Sequence, residues 1–320
     1  MMTAASHPPT TPLSSGWSAL PPEYAIPDHA PSEAEAREYC RRLARSHYEN
    51  FSVASWFLPQ RLRQHFFNVY AYCRISDDLG DEVGDTAASL QLLDHWETEL
   101  NACYDGHPRH PVFVALAGTV REFEIPKHEF ADLLTAFRQD QNISRYETFN
   151  DLLGYCRYSA NPVGHLVLYL CGYRDSERQL LSDYTCTALQ LANFWQDVSA
   201  DFAKGRIYLP LEDLRRFGVS QEVIRDGENT SVFCEMIAFE VERAREWFAQ
   251  GLPLIAKVDR KLATDIELFS RGGQEILNAI ERQHYAVLGR RPAISNARKL
   301  ALVARAALGK LLGKPREKER

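Results

Sequence analysis

Two short stretches of the chain carry aspartates at a spacing that could hold a metal ion. Asp77 and Asp81 form one pair, and Asp197 and Asp201 form the other. Residues four apart share one face of a helix, and two carboxylates placed there repel each other. A divalent cation removes this repulsion, and oxygen ligands suit Mg²⁺. A solvated acidic helix face has the same pattern, so neither pair identifies a metal site by itself.

Polar side chains precede the first pair at helical spacing. Tyr70 and Arg74 stand seven and three residues before Asp77. One face of the predicted helix therefore carries a phenol, a guanidinium and two acids. In one interpretation these groups bind a ligand. In the other they form a salt-bridged surface, in which Arg74 pairs with Asp77 or Asp78.

The second pair follows a polar stripe and precedes basic residues. Gln190 and Asn193 share the helix face of the two acids, and apolar residues flank that face. Because the residues that flank it are apolar, we expect this polar face to be turned away from bulk water. Lys204, Arg206 and Tyr208 follow directly, and they place positive charge and a phenol next to the carboxylates.

A proline interrupts an apolar helical run between residues 152 and 170. Pro162 inside a helix removes a backbone hydrogen bond and breaks or kinks the helix. The small residues Ala160 and Gly164 stand next to this break, where they could leave space for a long apolar ligand. An ordinary junction between two helices would show the same pattern.

The conjunction of these features indicates a specific chemistry. Two facing carboxylate pairs can hold a cluster of Mg²⁺ ions, and such a cluster can hold a diphosphate. Arg74, Lys204 and Arg206 would neutralise the remaining negative charge. A diphosphate held in this way becomes a leaving group, and the hydrocarbon left behind is a carbocation. This is the chemistry of isoprenoid diphosphates.

Helical periodicity extends over nearly the whole chain. A capping box formed by Ser32 and Glu35 opens the first predicted helix. Alternating strands, a Gly-rich phosphate loop and internal repeats are not visible. We predict helices at about 32–48, 60–79, 86–104, 110–122, 127–140, 148–158, 163–172, 176–201, 220–226, 230–250, 255–270, 272–288 and 295–312. The sequence predicts an all-α protein with one domain over 32–320, after a disordered Pro/Ser/Thr-rich leader over 1–31.

Composition and charge restrict the class of protein. The net charge of −6 gives no reason to expect nucleic-acid binding. The seven cysteines are widely spaced without a C-x-x-C motif, which is typical of reduced core residues rather than of disulfides or a zinc site. No apolar run is long enough for a membrane span, and no signal peptide is visible. We expect a cytoplasmic protein.

The C-terminal segment 290–320 differs in charge from the rest of the chain. It contains ten basic and two acidic residues, a net charge of +8, with leucines interleaved. A basic amphipathic helix of this kind can bind the inner face of an anionic membrane. Alternatively, its apolar face closes the helical bundle and the last residues form a solvated tail.

The motifs together resemble those of the squalene/phytoene synthase family, from about residue 39 to residue 299. The similarity rests on residues 70–81 (YAYCRISDDLGD), 155–164 (YCRYSANPVG) and 190–210, which contain QLAN, the second aspartate pair and RIYLP. Residues 47–55 (HYENFSVAS) and 159–164 (SANPVG) most resemble the hydroxysqualene synthases of bacterial hopanoid biosynthesis. Gln196 stands where several relatives carry Arg.

This resemblance implies a fold, a site and a reaction. The fold would be an isoprenoid-synthase helical bundle with a central active-site cavity. The metal ligands would be Asp77, Asp81, Asp197 and Asp201. Residues at the diphosphate or lining the cavity next to it would be Asn50, Ser52, Tyr70, Arg74, Gln190, Asn193, Lys204, Arg206 and Tyr208, of which Tyr70, Arg74 and Tyr208 would be catalytic. The hydrocarbon would lie along Ala160, Val163 and Gly164.

The reaction of the most similar subfamily is the attack of water on the carbocation formed from presqualene diphosphate, which gives hydroxysqualene. It requires Mg²⁺, and we expect no NADPH. Two alternatives stay open. The chain could instead make squalene, presqualene diphosphate or phytoene by condensing two prenyl diphosphates, or it could be a non-catalytic helical subunit. Intact aspartates in both motifs argue against the last alternative.

Overall fold

The computed structural model describes residues 20–46, 60–295 and 298, and within these ranges it is a bundle of helices without a β-strand. The α-helices are Glu33–Ser46 (α1), Arg63–Asp81 (α2), Thr86–Asp105 (α3), Pro111–Phe123 (α4), Lys127–Asn142 (α5), Phe149–Ser159 (α6), Asn161–Leu170 (α7), Ser176–Ala203 (α8), Leu211–Phe217 (α9), Gln221–Arg225 (α10), Ser231–Gly251 (α11), Leu254–Lys257 (α12) and Arg260–Arg282 (α13). The all-α prediction is confirmed.

Local sequence signals set several helix starts. The Ser32 N–H donates to Glu35 Oε2 at 2.9 Å and the Glu35 N–H donates to the Ser32 hydroxyl at 3.4 Å, and these two bonds are the predicted capping box of α1. At the start of α6 the hydroxyl and backbone N–H of Thr148 both donate to Asp151, and the Asp151 N–H donates back to the hydroxyl. Both caps satisfy N–H groups that have no partner inside the helix.

Two hydrophobic cores support the two halves of the bundle. In the first, α2 packs against α1, α3, α4 and α5, and the buried rings of Tyr72 and Trp96 lie at its centre. In the second, α8 packs against α7, α11 and α13 around Trp195 and Phe233. α5, α6 and α7 connect the halves, so α2 and α8, the helices that carry the aspartate pairs, are held in one framework.

The predicted break at Pro162 is confirmed. α6 ends at Ser159 and α7 begins at Asn161, with Pro162 at the second position of α7, where a missing N–H costs no helical hydrogen bond. The Asn161 side chain accepts a hydrogen bond from Thr187 of α8 at 3.0 Å. The break therefore directs α7 onto α8.

The C-terminal half differs from the prediction in two ways. We predicted separate helices at 255–270 and 272–288, but α13 continues through Gly272 and Gly273. A Cβ at Gly273 would lie 2.4 Å from Cζ of Phe248, so this glycine permits a close approach of α11 rather than ending a helix. The short helix α9, Leu211–Phe217, was not predicted.

The ends of the chain also differ from expectation. Part of the predicted leader is packed, because Leu20 and Tyr24 are buried and the Tyr24 hydroxyl donates to Asp78 at 2.8 Å. The rest of the leader, residues 1–19, lies outside the described residues. So does nearly all of the predicted helix at 295–312. None of the described helices is long and apolar enough to cross a membrane.

Candidate active site

The first aspartate pair lies in the last two turns of α2. Arg74 Nε donates to Asp78 Oδ2 at 3.1 Å, a second guanidinium nitrogen contacts Asp78 Oδ1, and Asp77 Oδ2 is 3.5 Å from Nη1. Arg74 therefore pairs chiefly with Asp78, which is buried. Burial by surrounding protein atoms, followed by the charge of Asp81, raises the pKa of Asp77 to about 6.

Asp81 is the point at which the two motifs meet. Lys204 Nζ lies 3.0 Å from Asp81 Oδ2, and Arg206 Nη2 lies 2.9 Å from Oδ1. Burial alone would raise the pKa of Asp81, but the hydrogen bonds and charges of Arg206 and Lys204 outweigh it, and the pKa is lowered. Because Lys204 is the residue that caps α8, its contact brings the end of α8 to the end of α2.

The second pair occupies the last turns of α8. Asn193 donates to Asp197 Oδ2 at 2.8 Å, and Gln190 lies one turn earlier, half-buried. Burial and then the neighbouring Asp197 charge raise the pKa of Asp201 to about 7. The predicted polar stripe is thus a continuous face of α8 that ends in two coupled carboxylates.

An arginine from the C-terminal segment, which the sequence analysis did not identify, pairs with this motif. Arg291 Nη2 lies 2.9 Å from Asp197 Oδ2, and its Nε also contacts Oδ1. The same guanidinium donates to Gln196 Oε1 at 3.1 Å, and Gln196 donates to the Pro292 carbonyl at 2.6 Å. Arg291 stands 94 residues from Asp197, and no local spacing could have predicted the pair.

A partly buried carboxylate close to the first motif was also not predicted. Asp140, in the last turn of α5, accepts hydrogen bonds from Tyr155 at 2.8 Å and from Tyr208 at 3.3 Å. The Tyr208 ring stacks on Phe194 with a centroid distance of 3.9 Å, and Tyr146 stacks on Tyr208 with a centroid distance of 5.8 Å. Tyr208, which we expected to be catalytic, is therefore held inside an aromatic cluster.

The residues expected along the hydrocarbon have different environments. Ala160 is buried at the α6–α7 break, whereas Val163 is 41% exposed. Gly164 packs against α8, and a Cβ there would lie 2.3 Å from Ser182 Oγ. The structure gives Gly164 a packing role between two helices, in place of the open space that we expected next to it. Asn50 and Ser52 lie outside the described residues.

Tyr70 stands one turn before Arg74 on α2, at the edge of the site. It is partly buried, and burial raises the pKa of its phenol. The described structure brings together Asp77, Asp81, Asp197, Asp201, Lys204 and Arg206 at the ends of α2 and α8, with Tyr70, Arg74 and Asn193 in the preceding turns of these helices.

The acidic groups of this site fit Mg²⁺. Both pairs offer carboxylate oxygens, and the raised pKa values of Asp77 and Asp201 reflect, after burial, repulsion that a cation would relieve. In the ranges that the structure describes, no three His, Cys, Asp or Glu side chains could hold an ion by themselves. Mg²⁺ commonly takes one or two carboxylates together with water and phosphate oxygens, which these pairs could supply in the presence of a phosphorylated substrate.

Known proteins are similar to this chain in sequence and in fold. A crystal structure of squalene synthase HpnC from Alicyclobacillus acidocaldarius is 45% identical, over 84% of this chain and 98% of that one, with a TM-score of 0.76. A crystal structure of a dehydrosqualene synthase in complex with ligand is 27% identical, over 87% and 98%, with a TM-score of 0.78. The 15-cis-phytoene synthase of Synechocystis sp. is 31% identical over 84% of this chain and 83% of its own length.

The family model for squalene/phytoene synthase matches residues 44–298. That range includes both aspartate pairs, the α6–α7 break and the basic residues after α8. The chain belongs to the squalene/phytoene synthase family.

Proposed function

We propose that this protein converts presqualene diphosphate to hydroxysqualene in a Mg²⁺-dependent reaction. The observation that carries the proposal is the bridge from Lys204 and Arg206 to Asp81, because it joins two carboxylate pairs and two cations in one place. Such a set can bind a diphosphate and stabilise its departure. The residues 159–164, which resemble the hydroxysqualene synthases, support the choice of substrate and product.

Each motif residue has a role in this proposal. Asp77, Asp81, Asp197 and Asp201 would hold Mg²⁺, which when bound supplies Lewis-acid stabilisation of the leaving diphosphate. Positively charged donors of the chain would bind the remaining phosphate oxygens, and amide and hydroxyl side chains would orient the group. These donors and orienting side chains are Arg74, Lys204, Arg206, Gln190, Asn193, Tyr70, Asn50 and Ser52.

The proposed reaction balances without a reductant. The carbon–oxygen bond to diphosphate breaks, and the diphosphate leaves with the electron pair. The cyclopropylcarbinyl carbocation rearranges, and the oxygen of one water molecule bonds to the cationic carbon and loses a proton. The products are hydroxysqualene, diphosphate and one proton, so we expect no NADPH requirement. Ala160 and Val163 on the broken helix would contact the hydrocarbon.

A second candidate function is the synthesis of squalene, or a condensation of two prenyl diphosphates to presqualene diphosphate or phytoene. The similarity to a structure described as a squalene synthase, and to phytoene synthases, favours it. Squalene synthesis differs from the proposed reaction in that hydride, not water, reaches the carbocation. The condensations differ in that two prenyl diphosphates are joined.

Purified protein incubated with Mg²⁺ and presqualene diphosphate in ¹⁸O-water, without NADPH, tests the proposal. We expect an alcohol that carries ¹⁸O. If squalene forms only when NADPH is added, and no ¹⁸O enters the product, the squalene synthase alternative is correct. If only farnesyl or geranylgeranyl diphosphate is consumed, the protein is a condensing enzyme.

A further inference from the structure

One carboxylate of the site is in neither aspartate pair. Asp140 lies in the last turn of α5, and each of its oxygens accepts a hydrogen bond from a different tyrosine. Tyr155 of α6 donates to Oδ2 at 2.8 Å, and Tyr208 donates to Oδ1 at 3.3 Å. Both tyrosines are buried. Asp140 therefore ties the helix before the Pro162 break to the segment that carries Lys204 and Arg206.

Ring packing prevents these phenols from turning away. Tyr208 stacks on Phe194 with an interplanar angle of 12°, and Tyr146 stacks on Tyr208 with an interplanar angle of 19°. Tyr155 lies against the same group, with its centroid 5.7 Å from that of Tyr208. Because the rings are fixed, the two hydroxyl groups stay directed at Asp140.

The backbone of the same segment is fixed to the chain just after α5. The Ile207 N–H donates to the Ser144 carbonyl at 2.9 Å, and the Arg145 guanidinium donates to the Gly205 carbonyl at 2.7 Å. The Arg206 side chain interacts with two carboxylates. It hydrogen-bonds to Asp81 at 2.9 Å, and it interacts electrostatically with Asp140.

We propose that Asp140 is a positioning residue that holds Arg206 and Tyr208 in place when Asp81 is engaged by a cation. This inference rests on the proposed function, since it assumes that a diphosphate binds between the two motifs. With a cation bound at Asp81, the Arg206 guanidinium would lose this hydrogen-bond acceptor and would be repelled by the added positive charge. Asp140 then remains as the counter-charge of Arg206, so the guanidinium stays at the site and its donors turn to the diphosphate.

The variant Asp140→Asn tests this, because it keeps the size and one acceptor of the side chain and removes its charge. Binding of inorganic pyrophosphate in the presence of Mg²⁺ is measured by titration calorimetry, which requires no turnover. We expect about tenfold weaker binding, or about 1.4 kcal/mol. KM for the prenyl diphosphate should rise by a similar factor while kcat falls less than about threefold, because a positioning group acts mainly on binding.

Two further variants separate positioning from a loss of structure. Asp140→Glu keeps the charge and should restore pyrophosphate affinity to within about threefold of the wild type. Asp132→Asn changes another partly buried carboxylate of α5, which no contact connects to Arg206 or Tyr208, and it should leave affinity within about twofold. If Asp140→Asn does not fold, a double variant Tyr155→Phe, Tyr208→Phe removes both donors to Asp140 and should weaken binding in the same way.

The outcomes distinguish this inference from the proposed function. Pyrophosphate binding within twofold of the wild type in Asp140→Asn, or in the double tyrosine variant, overturns the positioning role and leaves the reaction untouched. If the wild type makes no product from presqualene diphosphate but Asp140→Asn still weakens pyrophosphate binding, the reaction is wrong and the positioning role stands. A wild type that binds no pyrophosphate with Mg²⁺ contradicts both.

Discussion

At the scale of single residues, the acids of the site are paired with cations of the same chain. Arg74 contacts Asp78, Lys204 and Arg206 contact Asp81, and a C-terminal arginine contacts Asp197. The side chains of Lys204 and Arg291 are more than half exposed, and ion pairs of exposed side chains contribute little to stability. These two cations can therefore leave their carboxylates at small cost when a metal or a phosphate binds.

Removing any one of the four paired aspartates should abolish most of the activity. We expect Asp77→Ala, Asp81→Ala, Asp197→Ala and Asp201→Ala each to lower turnover by at least about 100-fold, the scale of losing a key electrostatic group. The measurement is kcat/KM with presqualene diphosphate at saturating Mg²⁺. Asp105→Ala, at the exposed end of α3, is the control and should retain activity. Full turnover in EDTA, or in the Asp197 variant, would rule out the metal-binding role.

At the scale of helices, a histidine connects three elements of the bundle. His165 of α7 lies 3.0 Å from Glu129 Oε2 of α5 through Nδ1, and 2.7 Å from Asp183 Oδ1 of α8 through Nε2. Burial alone would lower the pKa of His165, but its contacts with Asp183 and Glu129 outweigh burial and raise the pKa to about 9. The helix that carries Val163 and Gly164 is therefore fixed by a charged imidazolium between two carboxylates.

His165→Gln should destabilise the protein at low pH more than at high pH. The folded pKa of about 9 exceeds the ordinary value of 6.5, so the stabilisation is complete below about pH 6.5 and is lost as the pH rises through 9. It amounts to about 3 kcal/mol at pH 6. Urea unfolding of both proteins at pH 6 and pH 10 measures the difference, which should shrink to less than about 1 kcal/mol at pH 10.

The neighbouring His128 provides a control for this pH dependence. Its side chain is 65% exposed and lies 3.4 Å from Glu129, so His128→Gln should change the free energy of unfolding by less than about 0.5 kcal/mol at either pH. A difference between wild type and His165→Gln that stays constant from pH 6 to pH 10 would show that the imidazole acts by packing alone.

The contact of α7 with α8 depends on Gly164. A Cβ at this position would lie 2.3 Å from Ser182 Oγ and 2.6 Å from Cys186 Sγ, so Gly164→Ala must push the helices apart. We expect a loss of about 1–3 kcal/mol in the free energy of unfolding. Gly154→Ala in α6 is the matched control, since nothing lies within 4 Å of its Cβ position, and it should stabilise the protein by about 0.5–1 kcal/mol. Equal stability of Gly164→Ala and wild type would contradict the close approach.

At the scale of the whole molecule, the site forms where distant parts of the chain meet. α2 belongs to the first core and α8 to the second, and the residues after α13 return to α8. The side-chain amide of Asn229 donates to the Leu288 carbonyl and accepts from the Leu288 N–H, each at 3.0 Å. The Gly289 N–H donates to the Ser199 hydroxyl at 3.2 Å. The chain just before the basic C-terminal residues therefore lies against the helix that carries the second aspartate motif.

We propose that the basic segment at the C-terminus binds anionic membranes. Each basic residue near the lipid surface contributes about 1 kcal/mol, and a water-insoluble product could then pass directly into the bilayer. Truncation after Lys299 should abolish cosedimentation with anionic liposomes and leave binding to neutral liposomes unchanged. If the truncated protein cosediments as well as the full chain, this segment is not the anchor. If it fails to fold, the segment belongs to the bundle.

The sequence by itself determined the helical class, most helix positions and the aspartate pairs. These features depend on residues three or four apart and on caps such as Thr148 with Asp151, which operate within one helical turn. The Pro162 break was predictable for the same reason, because proline acts on its own helix. The reaction class also came from the sequence, through motifs that are contiguous in the chain.

The tertiary structure alone decided which charges meet. Arg206 reaches Asp81 across 125 residues, and Tyr24 reaches Asp78 across 54. Asp140 could be recognised only once two tyrosines from other elements were seen to donate to it. A break was predicted between residues 270 and 272, but the helix continues there, and Gly273 admits the Phe248 ring of another helix. Such contacts depend on how the helices pack, and that packing is determined by side chains that are far apart in sequence. Local periodicity in the sequence therefore cannot predict them.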